Sequence, residues 1–142
     1  MIPQGFKFRL EELVDKKSFL DWGEGCWNFF PQDSLYMLHG IRTFLDRPIT
    51  VNNWLWGGDY QYRGYRGPAC QIGAKMSYHK RGMAFDFGAK GLTAEDVRKI
   101  LIENQDHELL LLIKRLENKV TWVHADTGVI PEGRKRIYLF NP

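Results

Sequence analysis

The segment Ser77-Tyr-His-Lys-Arg-Gly-Met-Ala-Phe-Asp86 decides how this chain is interpreted. A turn at Lys80-Arg81-Gly82 precedes a β-strand that we predict over Met83–Phe87. Because side chains alternate between the two faces of a strand, Asp86 can lie beside His79 across the turn. An imidazole and a carboxylate are both ligands that zinc accepts. Two such ligands do not hold the ion, so a third is required.

A second predicted strand, Thr121–Asp126, supplies that ligand. Trp122, His124 and Asp126 share one face of it, while the small apolar residues between them face the core. Two histidines and one aspartate, His79, Asp86 and His124, would leave a fourth position open to water. That is the pattern of a catalytic zinc site, with one zinc per chain. The alternative is that the two histidines form a half-buried pair without a metal.

The two motifs together resemble the zinc-binding signature of the D-alanyl-D-alanine carboxypeptidase and hedgehog-type family of zinc peptidases. The first is Ser-x-His-x-x-Gly-x-Ala-x-Asp, matched at every fixed position by Ser77, His79, Gly82, Ala84 and Asp86. The second is the aromatic-x-His-x-Asp strand that begins at Trp122. Upstream, Arg63-Gly-Tyr-Arg66-Gly-Pro resembles the family's Ser-Gly-Tyr-Arg-Ser-Pro segment. The resemblance covers roughly Ile49 to Gly128.

The resemblance implies roles for individual residues. His79, Asp86 and His124 would be the metal ligands. Arg66 falls where the family uses an arginine to hold a substrate carboxylate or to stabilise developing negative charge, a task that suits the fixed fork of guanidinium donors. Arg63 is a rival for that role, because the loop from Arg66 to His79 is shorter than the family leads us to expect. Ser77 is grouped with these arginines as a substrate-binding residue.

The general base departs from the family pattern. Many members place a Glu or His two or three residues before the last ligand, where this chain has Thr121 and Trp122, which cannot serve. Asp126 is the substitute that we predict, since it lies on the same face of the strand as His124. The alternative is that Asp126 orients His124 by a hydrogen bond.

The resemblance therefore implies zinc-dependent hydrolysis of an amide bond in peptidoglycan peptides, by a carboxypeptidase or an endopeptidase. The other interpretation is a non-catalytic, zinc-containing binding or structural module of a phage or cell-wall-associated particle. Such a module would dock on cell wall or another protein through the aromatic residues around Trp54 to Tyr65, within the glycine-rich loop Asn52–Met76. The missing base favours this second interpretation, and the intact ligand set favours the enzyme.

Bulk properties exclude other classes. The 142 residues suit one domain, 1–142, and a net charge of +3 is too mild to indicate nucleic acid. We find neither a membrane-spanning run nor an apolar signal peptide at the N-terminus. We therefore expect a protein made in the cytoplasm, of a phage or mobile element, that is released by lysis or carried in a particle. Cys26 and Cys70 are far apart and are predicted to be two buried thiols.

Strands and helices mix without regular alternation, which predicts an α+β fold with a small antiparallel sheet and flanking helices, as the resemblance also implies. We predict three helices: Leu10–Leu20, a second from Pro31 to before Arg47 with Asp33 or Ser34 as its cap, and a third that Thr93 caps and that ends near Glu103. Further elements are strands at Ile49–Val51 and Arg136–Phe140, and a strongly apolar helix or buried segment at Leu109–Leu116.

Overall fold

The computed structural model describes residues 2–73 and 77–142. Its sheet has five strands in the order β1-β2-β4-β3-β5. All neighbours pair antiparallel except β3 and β5, which are parallel. The α+β class is confirmed, and the expected antiparallel sheet is in fact mixed at one edge. The strands are β1 (Ile49–Thr50), β2 (Ala84–Ala89), β3 (Arg115–Glu117), β4 (Val123–Asp126) and β5 (Tyr138–Phe140).

The α-helices in the described residues are α1 (Lys16–Trp22), α2 (Gln32–Leu45) and α3 (Ala94–Glu103). Helix α3 starts as predicted: the Thr93 hydroxyl accepts from the Asp96 amide, and the Asp96 carboxylate accepts from the Thr93 amide. The predicted caps of α2 are wrong. The N-cap is Pro31, whose φ of −57° already suits a helix start, and Ser34 donates to the Pro31 carbonyl from inside the helix.

The predicted helix Leu10–Leu20 is also wrong, because the segment breaks in the middle. Leu10–Glu12 forms one 3₁₀ turn, and Val14 then pairs with Tyr65 in an isolated parallel bridge. Asp15 caps α1 by accepting from the Ser18 amide at 3.0 Å. An aspartate that binds the backbone in this way starts a helix rather than continuing one.

The apolar segment Leu109–Leu116 resolves into a 3₁₀ turn that ends at Leu110 and the beginning of β3. Leu110, Ile113 and Leu116 are all fully buried. A three-residue spacing of apolar side chains also suits a helix, so the pattern alone left the type of element open. Strand β3 was therefore not predicted, and this matters because two of its side chains reach the candidate site.

The faces of β2 and β4 follow the predicted alternation. Phe85 and Phe87 of β2 and Val123 and Ala125 of β4 are fully buried in one cluster with apolar side chains of α2 and α3. Asp86, His124 and Asp126 are therefore on the opposite face. Of the two cysteines, both free, Cys26 is buried as predicted, while Cys70 is only half-buried.

The aromatic loop between β1 and β2 is tied to the N-terminal segment. Asn52 donates to the Val14 carbonyl at 3.0 Å and accepts from the Arg63 amide at 2.9 Å. Trp54 donates to the same Val14 carbonyl. These bonds hold the loop near Arg63, which lines a cleft together with Asp86. The last three residues of the predicted loop, 74–76, lie outside the described residues.

Candidate metal centre

Three elements bring the predicted ligands together. His79 lies on the 3₁₀ turn Tyr78–Arg81, Asp86 lies on β2, and His124 lies directly opposite Asp86 on β4. The Ser77 hydroxyl accepts from the His79 amide at 3.2 Å and so steadies that turn. All three ligand residues are buried, and one ligand atom of each lies within 4.8 Å of the others. This group could hold one metal ion.

The distances within the group suit a small tetrahedral ion. Asp86 Oδ1 lies 3.2 Å from His79 Nε2 and 2.9 Å from His124 Nδ1. Zinc–ligand bonds of about 2.0–2.2 Å at tetrahedral angles separate neighbouring ligand atoms by roughly 3.3–3.5 Å. A small outward movement of the ligands would therefore be enough to accommodate the ion.

The outer nitrogen of each imidazole has an oxygen acceptor. His79 Nδ1 lies 2.9 Å from the Gly64 carbonyl, and His124 Nε2 lies 2.7 Å from Asp126 Oδ2. A proton held on the outer nitrogen leaves the inner nitrogen bare for a metal. The supporting contacts of a metal site are therefore present on both histidines.

In the metal-free group, the carboxylates of Asp86 and Asp126 both contact the imidazole of His124, and these contacts shift the pKa values of the group. Burial lowers the pKa of His124, but hydrogen bonds to Asp126 and Asp86 outweigh it and raise that pKa to about 9. Burial raises the pKa of Asp86, yet hydrogen bonds from His124 and His79 leave it well below its ordinary value. A metal ion would therefore compete with a proton on His124.

All three nitrogens of the Arg66 guanidinium contact other residues of the protein. Its Nε donates to the Tyr62 carbonyl at 2.6 Å, and its Nη1 donates to the Ile72 carbonyl at 3.4 Å. Its Nη2 lies 3.4 Å from Asp86 Oδ2. Arg66 thereby holds the outer oxygen of Asp86, which leaves Oδ1 turned towards the two histidines.

The guanidinium of Arg63, three positions before Arg66, has different contacts. Its guanidinium lies 4.3 Å from the centre of the Tyr60 ring. Within the described part of the chain, that guanidinium makes no hydrogen bond or ion pair, so its donors face a second cleft of about 250 Å³. Asp86 and Trp122 line both this cleft and the main cavity.

Asp126 is enclosed by donors. Arg115 contacts both of its oxygens at 2.9 Å, the Gly128 amide donates to Oδ1 at 2.9 Å, and His124 contacts Oδ2. The side chain is fully buried. Burial raises the pKa of Asp126, and the hydrogen bonds from His124 and Arg115 lower it by more.

The main cavity has a volume of about 430 Å³ and opens onto the His79, Asp86 and His124 group. Its wall contains Ser77 and Arg66, which the sequence predicted as site residues, and Trp122, which it placed on the same strand face as His124. Four further residues were not predicted there: Tyr78, Arg115, Glu117 and Phe140. Arg115, Glu117 and Phe140 come from β3 and β5. Phe140 lies in the strand predicted at Arg136–Phe140, but nothing in the sequence placed that strand beside the site. The only local signal for Arg115 and Glu117 was a charged residue on either side of Leu116, which is too short a pattern to indicate a strand.

Comparisons with models of known protein families, with curated proteins and with solved structures find no match for this chain. No helix within residues 2–73 and 77–142 is long and apolar enough to cross a membrane.

Proposed function

We propose that this chain is a zinc-dependent hydrolase that cleaves an amide bond in cell-wall peptides. The observation that carries the proposal is the buried group of His79, Asp86 and His124, whose inner atoms converge beside an open cavity. Two imidazoles and one carboxylate with an open fourth position suit catalytic zinc, whereas structural zinc sites are closed by four protein ligands. Calcium and magnesium prefer oxygen ligands throughout, which this group does not offer.

Zinc in such a site would lower the pKa of a water molecule and polarise the scissile carbonyl. The protein's own residues would position the reacting groups. Asp126 would keep the ring of His124 oriented, a role that its buried contacts with Arg115 and the Gly128 amide support. These contacts favour the orienting role of Asp126 over the alternative role of general base.

The charges around the site support a substrate that carries carboxylates. Arg66 and Arg115 line the main cavity, and Arg63 lines the second cleft. The donors of Arg66 are already engaged, so the contacts favour Arg63 as the residue that grips a substrate carboxylate. Cell-wall stem peptides carry such carboxylates, and the motif resemblance points to the same substrates.

Digestion of purified peptidoglycan tests the proposal. We expect the zinc-loaded protein to release peptide fragments whose masses identify the cleaved amide bond, and we expect a chelator to abolish the release. Mass spectrometry of the soluble products is the measurement. Undigested peptidoglycan at full zinc occupancy would contradict the enzymatic function.

One observation favours the second candidate, a cell-wall binding module. Trp56 and Tyr60 of the aromatic loop are 61% and 49% exposed, and Tyr60 lines the cleft beside the metal group. Exposed rings of this kind often mark a binding surface. If the protein sediments with peptidoglycan but releases nothing from it, this candidate replaces the enzyme.

A further inference from the structure

Glu117 lies at the end of β3, next to the strand that carries His124. The β3–β4 register pairs Arg115 with Asp126 and Leu116 with Ala125. Continued by one residue, it sets Glu117 opposite His124, and both residues line the cavity. Directly opposed side chains of an antiparallel pair lie on the same face, with Cβ atoms about 4.5–5.5 Å apart. Glu117 therefore stands beside a metal ligand, on the cavity face of the sheet.

The two carboxylates next to His124 have different surroundings. Asp126 is fully buried, and donors occupy both of its oxygens. Glu117 is half-buried and lines the cavity, and its carboxylate makes no hydrogen bond or ion pair with the residues that the structure describes. Of the two, only Glu117 is placed to contact water or a substrate in the cavity.

Glu117 and Arg66 line the same cavity. Burial lowers the pKa of Arg66, and the nearby charges of Asp86 and Glu117 act in the opposite direction. Arg66 in turn contacts Asp86 Oδ2. Glu117, Arg66 and His124 therefore all face one cavity.

From this placement we propose that Glu117 is the general base of the hydrolysis. The inference rests on the proposed function. A Glu117 carboxylate oxygen takes a proton from water as the water oxygen bonds to the scissile carbonyl carbon. The same oxygen then passes the proton to the amide nitrogen as the C–N bond breaks. One amide and one water give one carboxyl group and one amine, and Glu117 returns to its starting state.

This assignment also explains why Thr121 and Trp122 can stand where the resembling family places its general base. The residues just before His124 supply no carboxylate. The neighbouring strand β3 brings one, that of Glu117, to the cavity. The base is then adjacent to the ligand in space but seven positions away in sequence.

Glu117→Gln tests the proposal, because glutamine keeps the size of the side chain but cannot accept the proton. We expect turnover of a purified stem pentapeptide to fall by about 100-fold or more, the usual contribution of a general base. Zinc per chain, zinc affinity measured by chelator competition, and binding of the uncleaved pentapeptide measured by calorimetry should all stay at wild-type values. The matched control is Glu132→Gln, an exposed glutamate away from the cavity, which should keep full turnover.

Four outcomes would overturn the assignment. Full turnover by Glu117→Gln would remove the base role alone, and loss of zinc from that variant would make Glu117 a metal-holding residue instead. Glu117→Asp provides a second variant, since it keeps a carboxylate one methylene further away. Its turnover should lie between those of the wild type and Glu117→Gln, and equal turnover of the two variants would count against a base. Inactivity of the zinc-loaded wild type would overturn the proposed function, and this inference with it.

Discussion

The two faces of the β2–β4 pair are built from alternate residues of the same strands, yet one face buries apolar side chains and the other buries polar ones. On the core face, Phe85, Phe87 and Val123 are fully buried among apolar side chains. On the cavity face, Asp86 and His124 are also buried, but each is charged or polar and depends on hydrogen bonds to the other and to neighbouring polar groups. Burial of apolar area stabilises the first face, whereas burial of charge is unfavourable unless every partner is present. The buried polar groups of the candidate metal site therefore lower the stability of the fold, and the apolar burial on the core face offsets that cost.

The largest effect should come from removing a ligand on the cavity face. His124→Ala leaves two ligands, which do not hold zinc, and it also leaves Asp86 and Asp126 without their shared partner. We expect zinc to fall from one per chain to the background level, with loss of hydrolysis.

Elemental analysis of the purified protein measures the metal. The matched control is His107→Asn, which keeps a side-chain acceptor at an exposed position far from the site. Equal zinc in His124→Ala and the wild type would show that the ligand assignment is wrong.

A substitution on the core face should separate stability from metal binding. Phe85 is fully buried and stacks on Phe30 with ring centroids 5.8 Å apart. Phe85→Ala should lower the free energy of unfolding by about 3–5 kcal/mol, through lost burial and a cavity. The folded fraction should still bind one zinc per chain. Urea unfolding and elemental analysis check both parts, and a loss of zinc without a loss of stability would contradict the division between the faces.

Asp126→Asn sharpens the contrast within the cavity face. If Asp126 orients His124, the variant should bind zinc about ten- to a hundredfold more weakly, and its activity should recover when zinc is added in excess. A general base at this position predicts normal zinc affinity and no recovery. Activity measured across a zinc titration separates the two roles, and failure to recover at saturating zinc would return the base role to Asp126.

The smallest expected effect is a pH dependence of the free energy of unfolding, and we expect it only in the metal-free protein. The pKa of His124 is raised from 6.5 to about 9 in the folded, metal-free chain, because its hydrogen bonds to Asp126 and Asp86 outweigh burial. The folded state therefore binds this proton more tightly than the unfolded state. The resulting stability is fully present below the unfolded value and is lost as pH rises through about 9.

Urea unfolding of chelator-treated protein across that interval is the measurement. With zinc bound, the inner nitrogen of His124 holds the metal instead of a proton, so this loss should disappear. His124→Gln without metal should also lack it. An equal decline in all three samples would assign the pH dependence to other groups.

Part of the site could be predicted because its information is local. His79 and Asp86 are seven positions apart around one turn, and strand alternation is enough to place Asp86 and His124 on a cavity face opposite Phe85 and Val123. The start of α3 could be predicted for the same reason, since Thr93 and Asp96 satisfy each other's amides within one turn. The predicted helix Leu10–Leu20 was wrong because its interruption depends on Tyr65, which is far away in the sequence. The Tyr65 amide donates to the Leu13 carbonyl.

By itself, the sequence predicted the candidate ligand group, the two strands that carry Asp86 and His124, and the α+β class, because these motifs and the alternation of faces are short-range patterns. Only the tertiary structure decided which carboxylate faces the cavity and which arginine keeps its donors available. Glu117 reaches the site through the pairing of β3 with β4. Arg66 is distinguished from Arg63 by contacts with the Tyr62 and Ile72 carbonyls and with Asp86 on the next strand. Pairing and enclosure of this kind depend on packing between segments that are distant in sequence, and no periodic pattern within either segment encodes them.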